Sequence, residues 1–292
     1  MKLLTIDCRE VSGRPGVMLD SGEILDLVAA PSTLSESQWI PHSVVSVLAA
    51  GDDGLERIGR LMASARRTVG IDRERLKTEG VLLPYNTTAL MAPVRRPGLI
   101  LVIAADSPAY IKSPNTAVGS DASVAIPSSI EENLTCSGML AAVIGRPFYQ
   151  SGPDEAAAAV AGYTLLLDLS LPLPPATAPL TEWRRYWESK QFPGSCPIGP
   201  AIITKDELPN PTELSAAVRI NDVGIASGRL CGGRLGIGER LADLSAHYSF
   251  RPGDLVAMEC SADDIGRPRT VNVGDEYTLA LPDVMELAVT FT

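Results

Sequence analysis

The chain is poor in the side chains that most often mark chemistry. It has two histidines, His42 and His247, among 292 residues, and aromatic residues make up 5%. Two isolated histidines do not make a His-rich metal cluster, and each reads as an ordinary core or surface histidine. The five cysteines (Cys8, Cys136, Cys196, Cys231 and Cys260) are odd in number, dispersed, and form no CxxC pair. Neither a disulfide framework nor a zinc site is expected from them; buried free thiols in a reducing cytosol are. Long apolar runs are missing as well. The longest, Ala156 to Leu167, is interrupted at Gly162, Tyr163 and Thr164 and stopped by Asp168, whereas a bilayer-spanning helix needs about 20 residues. The opening MKLLTID meets Asp7 at once and has no signal-peptide core. Positive charge is in deficit: 25 Lys and Arg stand against 35 Asp and Glu, a formal net charge of −10. That balance argues against nucleic acid or an anionic membrane as partner, because phosphate binding needs clustered cations. A phosphate loop is also lacking. Arg229 to Gly238 is glycine-rich but has no P-loop lysine and no strand–GxGxxG–helix context, and it reads as a flexible loop.

What is present is the material of a folded protein. Hydrophobic residues are 45% and charged residues 21%, far from the composition of a disordered chain. At 30.9 kDa a folded monomer exposes about 12,000 Å² of the roughly 45,000 Å² of its unfolded chain, so the core is large. Residues 1–90 read as a small α+β unit. Short strands are expected at Leu3 to Ile6, Val17 to Leu19 and Ile24 to Leu27, with turns at Ser12-Gly13 and Ser21-Gly22. From Asp52, the spacing of Leu55, Ile58, Met62, Ala65 and Val69 predicts a helix, with Gly70 as its stop. The polar stretch Pro84 to Gly98 separates this unit from residues 91–292, which are strand-rich.

There, strands are expected at Leu99 to Ala104, Leu134 to Gly145, Tyr163 to Leu169, Ala201 to Thr204, Ala216 to Asn221, Asp254 to Cys260, Glu276 to Ala280 and Met285 to Phe291. Helices are expected at Pro153 to Ala161, at Thr181 to Lys190 with Thr181 as cap, and at Gly238 to Tyr248. The four prolines of Leu171 to Pro179 enforce a loop. The fold class is therefore α+β, with a strand-rich β-roll or barrel-like domain after a small α+β domain.

Several motifs fall in a telling order: LAAVIGR (140–146), VAGYTLLLDLS (160–170), KQFPGSCPIGPAIIT (190–204), RIND (219–222), RPGDLV (251–256) and NVGDEYTL (272–279). In this order and spacing the chain resembles the fumarylacetoacetate hydrolase family over roughly residues 95–292, and residues 1–90 suit that family's small N-terminal domain. The resemblance implies a metal-dependent enzyme acting on 2-oxo acids or β-dicarbonyl compounds by hydrolysis, decarboxylation or isomerisation. It also implies a homodimer. In the family, Mg²⁺ or Mn²⁺ sits on three carboxylates, two from a Glu-x-Glu pair on the strand ending in VIG and one from the Asp of the GYT strand. Residues i and i+2 of a strand face one side, and hard cations take such oxygens.

This sequence departs from the pattern where the chemistry lies. Counted back from Val143-Ile144-Gly145, the Glu-x-Glu positions fall on Ser137 and Met139, and of the three carboxylates Asp168 alone remains. Glu131, Glu132, Glu259 and Asp263 have no spacing that marks them as substitutes. The Asn-Tyr-x-x-His segment expected after the Leu99 to Ala104 strand reads AADSPAYIKSPNT, without histidine. The family's Gly-Thr-Pro stretch reads MECSADDIG at 258–266, its arginine after the GYT-strand Asp is Pro172, and its Asp after Lys-x-Phe is Pro193.

The expectation is a scaffold kept and a hydrolase site rebuilt. Lys190 aligns with the family's substrate-contacting lysine and is expected to stabilise an enolate or hold a carboxylate. Asp168 is expected as a general base or hydrogen-bond acceptor, or else as a structural partner of Lys190. Glu259 is the candidate acid or base. Tyr110, Lys112, Ser137, Met139, Arg185 and Ser261 are expected to contact substrate. Arg185 belongs to EWRRYWESK (182–190), whose aromatic and guanidinium groups suit a planar anion or pack on the sheet. No cofactor is expected beyond weak Mg²⁺, and no metal ligand is assigned. The leading function is a cytoplasmic, metal-independent enzyme on an enolisable carbonyl compound, catalysing tautomerisation, cyclisation, dehydration or decarboxylation. A non-catalytic ligand-binding or partner subunit, and a Mg²⁺-dependent hydrolase or decarboxylase with substituted ligands, are the alternatives.

Overall fold

The computed structural model describes residues 1–8, 13–35, 39–103, 109–127, 134–173, 182–208, 210–211, 214–229, 236–259 and 265–292. The elements run β1 (Lys2–Ile6), β2 (Arg14–Met18), β3 (Glu23–Asp26), α1 (Ala30–Thr33), α2 (Val44–Ala49), α3 (Gly51–Thr78), β4 (Leu82–Pro84), β5 (Leu90–Met91), β6 (Ile100–Ile103), β7 (Tyr110–Lys112), β8 (Ala117–Val118), β9 (Ala122–Val124), β10 (Leu134–Ile144), α4 (Pro153–Ala158), β11 (Val160–Ser170), α5 (Glu182–Glu188), β12 (Cys196–Thr204), β13 (Ser215–Ile220), β14 (Val223–Arg229), α6 (Ile237–Ser245), β15 (Leu255–Glu259), β16 (Arg269–Val271), β17 (Glu276–Leu281) and β18 (Met285–Phe291). The protein is a strand-rich α+β fold. One mixed sheet runs β4-β3-β2-β1-β12-β11-β10-β15-β6-β7, with β5 added to β1, β8 to β12 and β16 to β10. A second sheet of five strands runs β14-β13-β17-β18-β9.

The long antiparallel pair β10–β11 is the spine, and its alternation explains the layering. On β10, Cys136, Leu140, Ala142 and Ile144 face one core, which they share with Leu165, Leu167 and Leu169 of β11 and with Tyr277, Leu279, Leu287 and Val289 of the second sheet. The opposite face, with Met139, Ala141, Val143 and Leu166, packs with Val47 and Leu48 of α2 and Ile58 and Leu61 of α3. Both faces are covered, so the strands read as continuous apolar runs rather than as alternation. Gly138 is fixed by this packing: a Cβ there would lie 2.9 Å from Leu279 Cδ1 of the second sheet.

The N-terminal strands do not stand apart from the rest. Lys2 and Leu3 pair with Ile203 and Ile202, so β1 joins β12 directly. The expected separator contains β5, which pairs with β1 through Thr5–Met91 and Ile6–Leu90. Several elements differ from the sequence reading; the strand expected from Ala201, for one, begins at Cys196. The helix expected to stop at Gly70 breaks two residues later, at Asp72 (φ −144°, ψ 57°), and a second helical stretch carries α3 on to Thr78. A glycine inside a helix costs only about 1 kcal/mol relative to alanine, and burial of Leu76 favours continuation. The helix expected to reach Ala161 ends at Ala158 because Val160 already pairs with Ile144. Strand β14, within a stretch left unassigned between Asn221 and the glycine-rich run, pairs with β13. Most of that glycine-rich run, like most of the proline loop of 171–179 and the cap Thr181, lies outside the described residues.

Candidate active site

Strand register brings the site together. Ser137 on β10 pairs with Asp168 on β11, and Met139 pairs with Leu166. On β7, Tyr110 and Lys112 pair with Val102 and Ile100 of β6. Being i and i+2 on one strand, they share a face, and it is the face on which Val102, Ile100, Met139 and Leu166 pack together. Lys190 arrives from the other direction, two residues after α5. Behind it the chain turns at Phe192–Ser195, closed by Ser195 N–H to Phe192 O (3.0 Å). Pro193 sits at the second position and Gly194 at the third with φ +81°, as a type II turn requires. Ser195 Oγ donates to the Lys190 carbonyl (2.9 Å).

Asp168 is the centre. Its Oδ1 accepts from Lys112 Nζ at 2.5 Å. Its Oδ2 accepts from Lys190 Nζ at 2.6 Å and from the Tyr110 hydroxyl at 2.5 Å. Lys112 Nζ also donates to the Leu169 carbonyl (3.2 Å), and Lys190 Nζ to Ser170 Oγ (2.5 Å). The Lys190 ammonium lies 4.9 Å from the ring centroids of both Tyr110 and Tyr186. Those rings meet edge to face at 5.6 Å, an arrangement that favours a partly desolvated cation. Lys112 is fully buried, and Asp168 and Lys190 are 3% and 6% exposed. Two ammonium groups on one carboxylate leave one positive charge in excess in a dry environment.

The electrostatics follow from that packing. Burial alone would raise the Asp168 pKa, but the Lys112 and Lys190 ammonium groups together outweigh it and hold the carboxyl below the usual range. Burial and then the Asp168 charge push the Tyr110 phenol far above its ordinary value, so it remains a proton donor. Burial also raises the nearby thiols, Cys136 well above its ordinary value and Cys196 to about 12. They are packing groups rather than nucleophiles.

The arrangement does not fit a divalent cation. Ser137 and Met139 stand where two carboxylates would be needed. Both Asp168 oxygens are taken by N–H and O–H donors, two of them cationic. Among the described residues no group of three or more His, Cys, Asp or Glu can hold a metal ion. Glu131, Glu132 and Asp263 lie outside the described residues.

The structure thus brings Tyr110, Lys112, Asp168 and Lys190 into one hydrogen-bonded cluster and sets Ser137 beside Asp168 in register. Glu259 is the register partner of Met139. Arg185 sits half-buried on α5, next in sequence to Tyr186. Ser261 lies outside the described residues. Ser170 was missed from sequence, although its place two residues after Asp168 on a strand put it on the same face. Missed too was the bracing of β7 from α5. Trp187 Nε1 and Gln191 Nε2 both donate to the Ile111 carbonyl (3.1 and 3.0 Å), and Ser113 N–H donates to Gln191 Oε1 (2.8 Å). A separate cleft of about 530 Å³, lined by Met1, Asp52, Glu56, Arg146, Lys205 and Asp206 among others, carries ion pairs that are more exposed than the Asp168 cluster. Arg146 there is ion-paired with Asp52 at 3.2 Å.

Comparison with known proteins agrees with this fold. Oxaloacetate tautomerase YisK of Bacillus subtilis (strain 168) is 23% identical over 295 aligned residues, covering 94% of both chains. The crystal structure of maleylpyruvate hydrolase from Sphingobium sp. SYK-6, in complex with manganese(II) and pyruvate, superposes with a TM-score of 0.74 at 21% identity, covering 100% of this chain and 99% of that one. A probable 2-hydroxyhepta-2,4-diene-1,7-dioate isomerase from Mycobacterium abscessus gives a TM-score of 0.72 at 22% identity, covering 100% of this chain and 98% of that one. The family model for the fumarylacetoacetate (FAA) hydrolase C-terminal region matches residues 101–292, more than half of the sequence, and the chain belongs to the fumarylacetoacetate hydrolase family.

Proposed function

We propose that the protein is an enzyme that moves a proton on an enolisable carbonyl acid, by tautomerisation or isomerisation, with protein cations in place of a metal. The observation that carries this reading is the buried excess of positive charge around Asp168. An enolate forms when a proton leaves the carbon beside a carbonyl, and fixed ammonium donors in a dry site stabilise its oxygen. Lys112 and Lys190 supply those donors. Asp168 orients them rather than taking the substrate proton, because its oxygens are committed and its lowered pKa makes it a weak base near neutrality. Tyr110 keeps its proton and fixes the carboxylate. Glu259, at the register position opposite Met139, is the proposed base. The α-proton passes to its carboxylate, the C–H electron pair moves into the enolate, and the carboxyl returns the proton to oxygen or to another carbon.

The similarity to an oxaloacetate tautomerase makes oxaloacetate the first substrate to assay. Cyclisation, dehydration and decarboxylation of related acids pass through the same enolate and belong to the same panel. A homodimer in the cytoplasm is the proposed setting, and light scattering after size exclusion tests the dimer. One observation favours a second reading, a non-catalytic ligand-binding role: the four groups of the cluster satisfy one another within the protein.

The deciding experiment follows enol-to-keto conversion of oxaloacetate by ultraviolet absorbance in EDTA. The expected rate exceeds buffer and falls at least about 100-fold in Lys190→Ala and Glu259→Gln with the fold intact by circular dichroism. No rate above buffer across the panel supports the non-catalytic reading. A rate abolished by EDTA and restored by Mn²⁺ overturns the metal-free one.

A further inference from the structure

We infer that the Lys112 ammonium is a tethered replacement for the divalent cation of this fold. The inference deepens the metal-free reading above, and it is tested by metal binding without turnover, so either can fail alone.

Charge and ligand type carry the argument. The structural neighbour from Sphingobium holds manganese(II) with pyruvate, whereas here Ser137 and Met139 occupy the face beside Asp168 and Leu166. Exchanging two carboxylates and a divalent cation for two neutral side chains conserves net charge but removes the concentrated positive charge that would face an anionic ligand, and Lys190 alone only neutralises Asp168. Lys112 restores a net positive charge there. Its Nζ takes a carboxylate oxygen and a main-chain carbonyl, Asp168 Oδ1 at 2.5 Å and Leu169 O at 3.2 Å, the oxygen types that a hard cation selects. An ammonium has three donors, and the third N–H of the fully buried Lys112 has no partner among the described residues, which leaves one donor uncommitted. Lys190 cannot fill this role, since its Nζ lies on Oδ2 of Asp168, toward the two tyrosine rings.

The test titrates Mn²⁺ into metal-free protein and reads the free ion by electron paramagnetic resonance. Wild type and S137E/M139E are expected to leave the signal undiminished. K112M/S137E/M139E is expected to bind at least 100-fold more tightly than either. Saturable micromolar binding to wild type that is lost in D168N overturns the inference. So does binding to S137E/M139E as tight as to the triple variant, or no binding by a folded triple variant. Should the triple variant not fold, Lys112→Gln alone is expected to bind Mn²⁺ at least tenfold more tightly than wild type, and equal affinities overturn the inference.

Discussion

Asp168 binds two ammonium groups and a phenol while almost wholly out of water, and its charge is what makes that cluster tolerable. Asp168→Asn keeps the shape and removes the charge, leaving Lys112 and Lys190 buried without an anion. Breaking a buried pair in this way typically destabilises by about 3–5 kcal/mol, and that loss is expected in urea denaturation at neutral pH. The pH dependence has a definite sign. The folded pKa of Asp168 lies below its unfolded value, so its stabilisation is complete above the ordinary carboxylate pKa of about 4 and is lost as pH falls through the lower folded value. The stability gap between wild type and Asp168→Asn is therefore expected to hold from pH 7 to about 5 and to shrink below about 4, as read by denaturation at each pH. At this scale the sequence was partly legible. Asp168 and Lys190 stood out because motif spacing marks them. The Lys112 contact was not legible as an ion pair, since it depends on β7 folding back on β6 and on β6 lying beside β15, where Ile100 pairs with Leu255.

β7 is three residues long and ends its sheet, yet it carries two of the four cluster groups. Its steadiness depends on α5 and the turn after it, which reach the Ile111 carbonyl and the Ser113 amide. Gln191→Ala removes two of those bonds and is expected to lower stability by about 1–2 kcal/mol. Faster hydrogen exchange at the Ser113 amide is the expected local signature, and unchanged exchange there would show that β7 is held by other contacts. Elements were read well where periodicity is long, as in β10 and β11, and poorly where it is short. β7 has too few residues to show alternation, and α3 runs past Gly70 because the buried Leu76 and the Arg73–Glu23 ion pair at 2.8 Å lie beyond the apparent stop.

Across the whole molecule, sheet continuity couples the N-terminal strands to the site. β1 lies against β12, β12 against β11, and β11 carries Asp168. The apolar face shared by Leu3, Val17, Met139, Leu166 and Leu255 is a single core. Separating residues 1–90 from 91–292 would bare that face and leave β12 as an open edge, which invites aggregation. The fragment 91–292 is expected to elute as aggregate in size exclusion with light scattering, whereas the full chain gives a defined species. The polar stretch Pro84 to Gly98 and the motif order suggest a division at about residue 90 but carry no sign of this seam, because strand pairing across a gap of two hundred residues leaves no local mark.

An ammonium rooted in the backbone of β7 is made by the ribosome along with everything else. It is present once per chain at every dilution, cannot be stripped by a chelator, and cannot be exchanged for a competing ion when supply changes. The same anchoring gives it a fixed reach and three directions only, so it holds one ligand oxygen where a coordination sphere would accept two. Molecules that need to be gripped by both a carboxylate and an adjacent ketone must therefore find their second hold elsewhere, and Lys190, on the far oxygen of Asp168, is the side chain in place to give it.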